Sequence, residues 1–210
     1  MGDPHGGLVL DETGLVTKGR HSAGGARQYT GTVGTVENGH IGVCWGDASP
    51  RGQLLLAREL YVPAAWTQDR ERCRQAGIPA DRGVATKPQR ARQLRARALG
   101  SGVPAHWGTG DGVYGHDRRL RRWLEARPPA DGLAVSGKAY GWGSGQPRQV
   151  NTRLAALPRA RGTRLRAGEG AQGPRWDDGR WRPLAAPLEP SWCRWRLVRR
   201  RLSAPAAVPA

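Results

Sequence analysis

Asp11 and Asp111 are the two residues whose type and position can do chemistry. Asp11 closes the apolar run Leu8-Val9-Leu10, and Asp111 follows a strand-like stretch from Val103 to Thr109 and then Gly110. Carboxylates at the ends of neighbouring buried strands repel each other unless they share a cation. Mg²⁺ and Mn²⁺ prefer oxygen ligands, so such a pair is a natural place for either ion. Two ions roughly 3.5–4 Å apart activate a water or a 3′ hydroxyl and stabilise the leaving oxygen of a phosphodiester. The chemistry needs carboxylates, because an amide does not offset the metal charge. An Asp after a strand is also a common turn former or helix cap, and spacing alone leaves both roles open.

The charge of the chain says what such a pair would meet. The 210 residues carry 34 Lys and Arg against 17 Asp and Glu, a net charge of +17, and only Lys18, Lys87 and Lys138 are lysine. With a pI near 11.4, the chain points to a polyanion, most plausibly nucleic acid, although GC-rich coding alone also favours arginine. The excess is uneven: residues 1–150 are net +8 and residues 151–210 net +9. From Gln89 to Leu99, Ala91, Leu94, Ala98 and Leu99 fall on one face while Arg90, Arg92, Arg95 and Arg97 can point outward. This basic helix and Lys87 are candidate contacts to DNA phosphates, with a solvated helix face as the alternative.

Other chemistries find less support. Cys44, Cys73 and Cys193 share no CxxC spacing with one another or with the histidines, which argues against a zinc site or a disulfide scaffold. Gly108 to Gly112 is glycine-rich but lacks the GK[ST] of a phosphate loop, and His40, His106 and His116 show no partner spacing. Trp176, Trp181, Trp192 and Trp195 offer base-stacking surfaces, but sheet packing suits them better. No run approaches the roughly 18 apolar residues of a membrane span, and the N-terminus lacks the basic and apolar segments of a signal peptide. The expected setting is the cytoplasm, with no membrane partner.

The elements that must position the aspartates follow from periodicity. Leu8–Leu10 reads as a buried strand running into a turn at Asp11 to Gly14. Ile41–Trp45 and Gln53–Leu56 form a hairpin across Ser49-Pro50-Arg51-Gly52. The basic helix over 89–99 ends at Gly100, and Val103–Thr109 returns as a strand. Asp117 caps a second helix in which Leu120, Trp123 and Leu124 repeat until Pro128, and Gly132–Val135 is a fifth strand. The order β-β-β-α-β-α-β indicates a mixed α/β sheet. Prolines at 158, 174, 183, 187, 190, 205 and 209 make long helices unfavourable beyond residue 150, so short strands and loops are expected there.

An ordered set of segments carries a resemblance: Leu8–Gly14 (LVLDETG), Gly19–Gly24 (GRHSAG), Ala26–Tyr29 (ARQY), Gly34–Asn38 (GTVEN), Arg58–Tyr61 (RELY), Ala85–Pro88 (ATKP), Gly110–Gly115 (GDGVYG) and Arg119–Glu125 (RLRRWLE). Together they resemble the DDE transposases of bacterial insertion sequences, in the DDE superendonuclease group with an RNase H-like catalytic core. The likeness recurs at Arg166–Arg175 and Trp195–Arg201. It implies an RNase H-like mixed sheet over residues 1–136, followed over 137–210 by a largely β, basic insertion segment. It further implies that Asp11 and Asp111 are the first two catalytic acids and ligands of Mg²⁺ or Mn²⁺. Such proteins bind the terminal inverted repeats of their element, cleave its ends and join them to target DNA. The resemblance thus also implies a nucleoid-associated bacterial protein, with self-assembly on DNA.

The sequence also departs from that family. Its third acid is a Glu on a helix after the insertion, and this sequence reaches Ala210 before such a helix; Glu169 and Glu189 stand in Gly- and Pro-rich contexts. The family's N-terminal DNA-binding segment is absent as well, and Leu15, Gly112 and the Asp131-Gly132 pair stand where the family commonly has other residues. The expectation is a fragment truncated at both ends, without the third acid and without cleavage activity. The alternatives are a non-catalytic basic DNA-binding protein and an unstable pseudogene product.

Overall fold

The computed structural model describes residues 3–19, 21–141, 148–156, 163–170, 173–179 and 198–200. Two compact units divide the chain, residues 1–135 and 136–210.

The first unit is built on a mixed sheet. β1 (Gly7–Val16) runs antiparallel to β3 (Thr35–Ser49), from Gly7 opposite Ala48 to Val16 opposite Gly39. β2 (Ala26–Thr30) pairs with the first residues of β3, and β4 (Gly52–Tyr61) pairs with the rest of it across the Pro50-Arg51 turn. That turn is the one the sequence spells out, with Gly52 at a φ of 137°. β5 (Trp107–Gly110) joins the free edge of β1 in parallel, and β6 (Ala130–Leu133) joins β5 in parallel. The path is β3-β1-β5-β6, with β2 and β4 both on β3.

The helices pack where apolar side chains demand cover. After the short α1 (Ala64–Thr67) and α2 (Arg70–Gln75), α3 (Lys87–Gly100) starts at a capping box formed by Thr86 and Gln89. Ala91 and Leu94 of α3 share one core with Leu8, Leu10, Val43 and Trp45 of the sheet. The short α4 (Gly112–Gly115) adds Tyr114, and α5 (Arg118–Glu125), N-capped by Asp117 as the sequence predicts, adds Leu120 and Leu124. Each fully buried Leu contributes about 1.5–3 kcal/mol. Trp45 ties sheet to helix, its Nε1 donating to the Ala91 carbonyl at 2.8 Å. A second cluster gathers Val62, Trp66, Cys73 and Ile78, with the Arg72 guanidinium 3.7 Å above the Trp66 ring.

Three local expectations are corrected. β1 does not turn at Asp11 to Gly14 but continues to Val16, because β3 is long enough to supply partners as far as Gly39. The strand expected over 103–109 begins only at Trp107, since Pro104 has no N–H to give a ladder. The outward orientation of Arg90 and Arg95 is overturned: they are 6% and 0% exposed. Both fall on the stripe that Ala91, Leu94 and Ala98 bury, and each finds acceptors there. Arg90 donates to the Gly83 carbonyl at 2.9 Å, while Arg95 pairs with the Asp131 carboxylate and donates to the Pro129 carbonyl at 2.9 Å. Arg92 and Arg97 do face solvent, Arg92 beside the Trp123 ring and Arg97 at 2.7 Å from Glu59.

Gly115 sets how closely α4 approaches β6. A Cβ there would run into the Ala134 carbonyl oxygen, which is backbone and cannot step aside. Gly115→Ala is expected to destabilise the first unit by about 3 kcal/mol; a urea midpoint equal to that of the unaltered chain would show that α4 can shift freely.

In the second unit, β7 (Tyr140–Gly141) pairs with β8 (Arg148–Gln149), which runs into α6 (Val150–Ala155). β9 (Thr163–Gly170), β10 (Gly173–Gly179) and β11 (Val198–Arg200) form an antiparallel sheet of three strands. The short strands agree with the proline spacing, and Trp176 lies in β10. Trp181, Trp192, Trp195 and Glu189 lie outside the described residues. Among the described residues, no helix is long and apolar enough to cross a membrane.

Candidate functional site

The parallel ladder decides where the two aspartates meet. Pairing of β1 with β5 runs from Gly7 opposite Trp107 to Leu10 opposite Gly110. Asp11 and Asp111 are therefore the residues that directly follow the last pair of two adjacent strands, whose backbones lie about 4.8 Å apart within a sheet. Asp11 stays within β1, opposite Cys44 of β3. Asp111 leaves β5 to cap α4, its Oδ1 accepting from the Val113 N–H at 2.9 Å. The Asp11 Oδ1 accepts from the Glu12 N–H at 2.8 Å. Both residues are exposed, and the second oxygen of each has no described protein partner. Asp111 is thus a helix cap as well as a ligand candidate, and the cap uses Oδ1 alone.

Three neighbours complete the surroundings: Lys87, a candidate phosphate contact, and Glu12 and Tyr114, which sequence reasoning passed over. Strand alternation sends Glu12 to the opposite face from Asp11, the side that carries Leu8 and Leu10. There Glu12 Oε2 lies 2.6 Å from Lys87 Nζ, with side chains only 18% and 21% exposed. Lys87, at the start of α3, is also 5.7 Å from the centre of the Tyr61 ring. Tyr114 is fully buried, and among the described residues its hydroxyl has no hydrogen-bond partner. Burial, and then the charges of Glu12, Asp111, Asp11 and Cys44, push the phenol well above its ordinary pKa. It is a neutral donor at any ordinary pH. The available signals were adjacency of Glu12 to Asp11 and the position of Tyr114 within GDGVYG; neither spoke of contact.

The donor set suits one hard cation. Mg²⁺ is commonly held by one or two carboxylates with waters and phosphate oxygens filling the remaining positions, which two exposed aspartates on adjacent strands can provide. Among the described residues no group of three His, Cys, Asp or Glu side chains is close enough together to hold a metal ion. A second ion has no ready-made ligand set there. Of the candidate phosphate contacts, Arg92 and Arg97 are exposed on α3, Lys87 is engaged by Glu12, and Arg90 and Arg95 are buried.

No curated protein and no solved structure matches the chain. A family model does, over the first unit and into the second: DDE superfamily endonuclease, residues 1–187. Endonucleases of this superfamily act on DNA and are generally dependent on divalent metal ions. The mixed sheet, with β5 and β6 added in parallel to an antiparallel β1-β3-β4 set, is consistent with their RNase H-like fold. By that match, the chain belongs to the DDE superfamily of endonucleases.

Proposed function

We propose that this chain provides the cation site and DNA surface of a DDE transposase of an insertion sequence, with Asp11 and Asp111 as the ligands of one Mg²⁺ or Mn²⁺. The observation that supports the reading is the parallel register ending at Leu10 and Gly110, after which Asp11 and Asp111 follow at neighbouring positions of the chain. A bound cation would polarise a phosphodiester and lower the pKa of a bound water. The two aspartates would orient it, Tyr114 would offer a neutral hydroxyl beneath the carboxylates, and Arg92 and Arg97 would lie among the phosphate contacts. The DNA would be the element's terminal repeats and its target, bound by several copies. Residues 1–136 would form the catalytic core and 137–210 the basic insertion. With two carboxylates at the site among the described residues, this chain alone is expected to bind DNA without cutting it.

The second reading, a basic DNA-binding protein that uses no metal, is favoured by the +9 carried on residues 151–210. Fluorescence anisotropy with a labelled duplex separates the two. Both require affinity that falls steeply with salt. The metal-site reading also requires Mn²⁺ to tighten binding, and Asp11→Asn or Asp111→Asn to remove that increment while leaving the salt-dependent part. Binding indifferent to Mn²⁺ and to both substitutions would leave only the basic surface.

A further inference from the structure

Near the start of β1, on the opposite face of the sheet from Asp11, one buried carboxylate has nothing to pair with. Asp47 of β3 lies opposite Leu8 and shares the core-facing side of β3 with Val43 and Trp45. It is 7% exposed, and among the described residues its Oδ1 is buried without a hydrogen-bond partner. No Lys or Arg among them forms an ion pair with it. A buried carboxylate left in this state is strongly unfavourable, so such groups ordinarily meet a cation. A Cβ on Gly6 would stand 2.8 Å from Oδ1, and glycine there keeps the space beside it free. Asp47 also lines a cavity of about 260 Å³, together with Asp3, Ser49, Arg51, Gln53 and Leu54. The Asp3 side chain is 12% exposed; its Oδ1 accepts from the His5 N–H at 2.9 Å and its Oδ2 lies 3.6 Å from Arg51 Nε. That arginine is 84% exposed, so it offsets the two carboxylates only weakly.

We propose that this cavity is a binding site for a guanidinium group, held by the carboxylates of Asp47 and Asp3. The lining selects the class. Two carboxylates supply the charge, the Ser49 hydroxyl and the Gln53 amide oxygen can accept further N–H groups, and Leu54 offers an apolar wall to a methylene stem. A metal ion fits less well, because among the described residues no three His, Cys, Asp or Glu side chains gather closely enough to hold one. A guanidinium presents five N–H donors in one plane and is less strongly hydrated than an ammonium, which suits a small acidic cavity. The volume is below the roughly 300–1,000 Å³ of clefts for drug-sized ligands, so one such group and its stem are the scale of the occupant. Two sources carry it: an arginine of a second copy of this chain, whose 34 basic residues include only three lysines, or a free alkylguanidine. The site lies on the other face of the sheet from Asp11 and does not depend on the reading of Asp11 and Asp111 as cation ligands.

The probe is Nα-acetyl-arginine amide, whose only charge is its guanidinium, titrated calorimetrically into the 210-residue chain. One molecule is expected to bind per chain, even though a net charge of +17 repels a cation. Asp47→Asn should weaken binding about tenfold, and Asp3→Asn, whose carboxylate already lies near Arg51, about threefold. Nα-acetyl-lysine amide should bind about tenfold more weakly than the arginine compound. Without probe, Asp47→Asn should unfold at a higher urea concentration than the unaltered chain, because it removes an unpaired buried charge. Sedimentation separates the sources: self-association broken by Asp47→Asn and by the probe assigns a second copy, and a monomer that binds the probe assigns a free ligand. Absence of binding by the unaltered chain, unchanged binding by Asp47→Asn, or equal binding of the lysine compound overturns the proposal. Binding seen only with Arg51→Gln also overturns it, since the cavity would then belong to the chain's own Arg51. Should Asp47→Asn fail to fold, the unaltered chain and Asp3→Asn decide.

Discussion

Replacing Arg95 with alanine is expected to destabilise the first unit by about 3–5 kcal/mol, the cost of leaving one member of a buried ion pair without the other. Arg95 is completely buried in α3 and pairs with Asp131 of β6, whose side chain is 9% exposed. Burial pushes the Asp131 carboxyl up, and the charge and hydrogen bond of Arg95 oppose that push; without them the carboxylate would be stranded. Gly108, opposite Asp131 in the ladder, makes room for the carboxylate, since a Cβ there would run into it. A second substitution separates lost packing from lost pairing. Arg95→Met combined with Asp131→Ala removes both charges, and should cost less than Arg95→Ala alone. Urea unfolding followed by tryptophan fluorescence measures both. A loss below about 1 kcal/mol for Arg95→Ala would mean that the pair is a surface interaction, in conflict with its burial.

Asp111→Asn is expected to lower Mn²⁺ affinity about 100-fold while leaving the urea midpoint nearly unchanged, because cation affinity follows ligand charge. The two readouts separate because Asp111 has two roles. An Asn side chain still accepts from the Val113 N–H and preserves the α4 cap, but it carries no charge for the ion. Asp111→Ala should lose the ion and also about 1 kcal/mol of cap stability. If Asn and Ala variants lost stability equally and bound Mn²⁺ as before, Asp111 would be a helix cap and nothing more.

Much of this arrangement was legible in the sequence, and what was not has physical causes. The Ser49 to Gly52 turn, the Asp117 cap and the apolar faces of α3 and α5 are local signals, and each appears where its chemistry places it. Arg90 and Arg95 were misplaced because a basic residue on an apolar stripe is ordinarily read as solvated. Their acceptors, the Gly83 and Pro129 carbonyls and Asp131, lie 7 to 36 residues away in the chain. The Asp131-Gly132 pair, read from the sequence only as a departure from the family, supplies in Asp131 the counter-ion for Arg95. The extent of β1 depended on its partner: nothing in DETG announces a continuing strand until β3 is laid beside it. For the site, residue types identified the aspartates, but the Leu10–Gly110 register that brings them together is a tertiary fact.

The most direct test is a double-mutant cycle on Mn²⁺ affinity using Asp11→Asn, Asp111→Asn and the pair of substitutions together. If both carboxylates hold one ion, the unaltered chain binds a single tight Mn²⁺, either substitution removes most of the affinity, and the double variant is little worse than either single one. Two independent, additive losses, or full affinity in the double variant, would show that Asp11 and Asp111 do not share a cation.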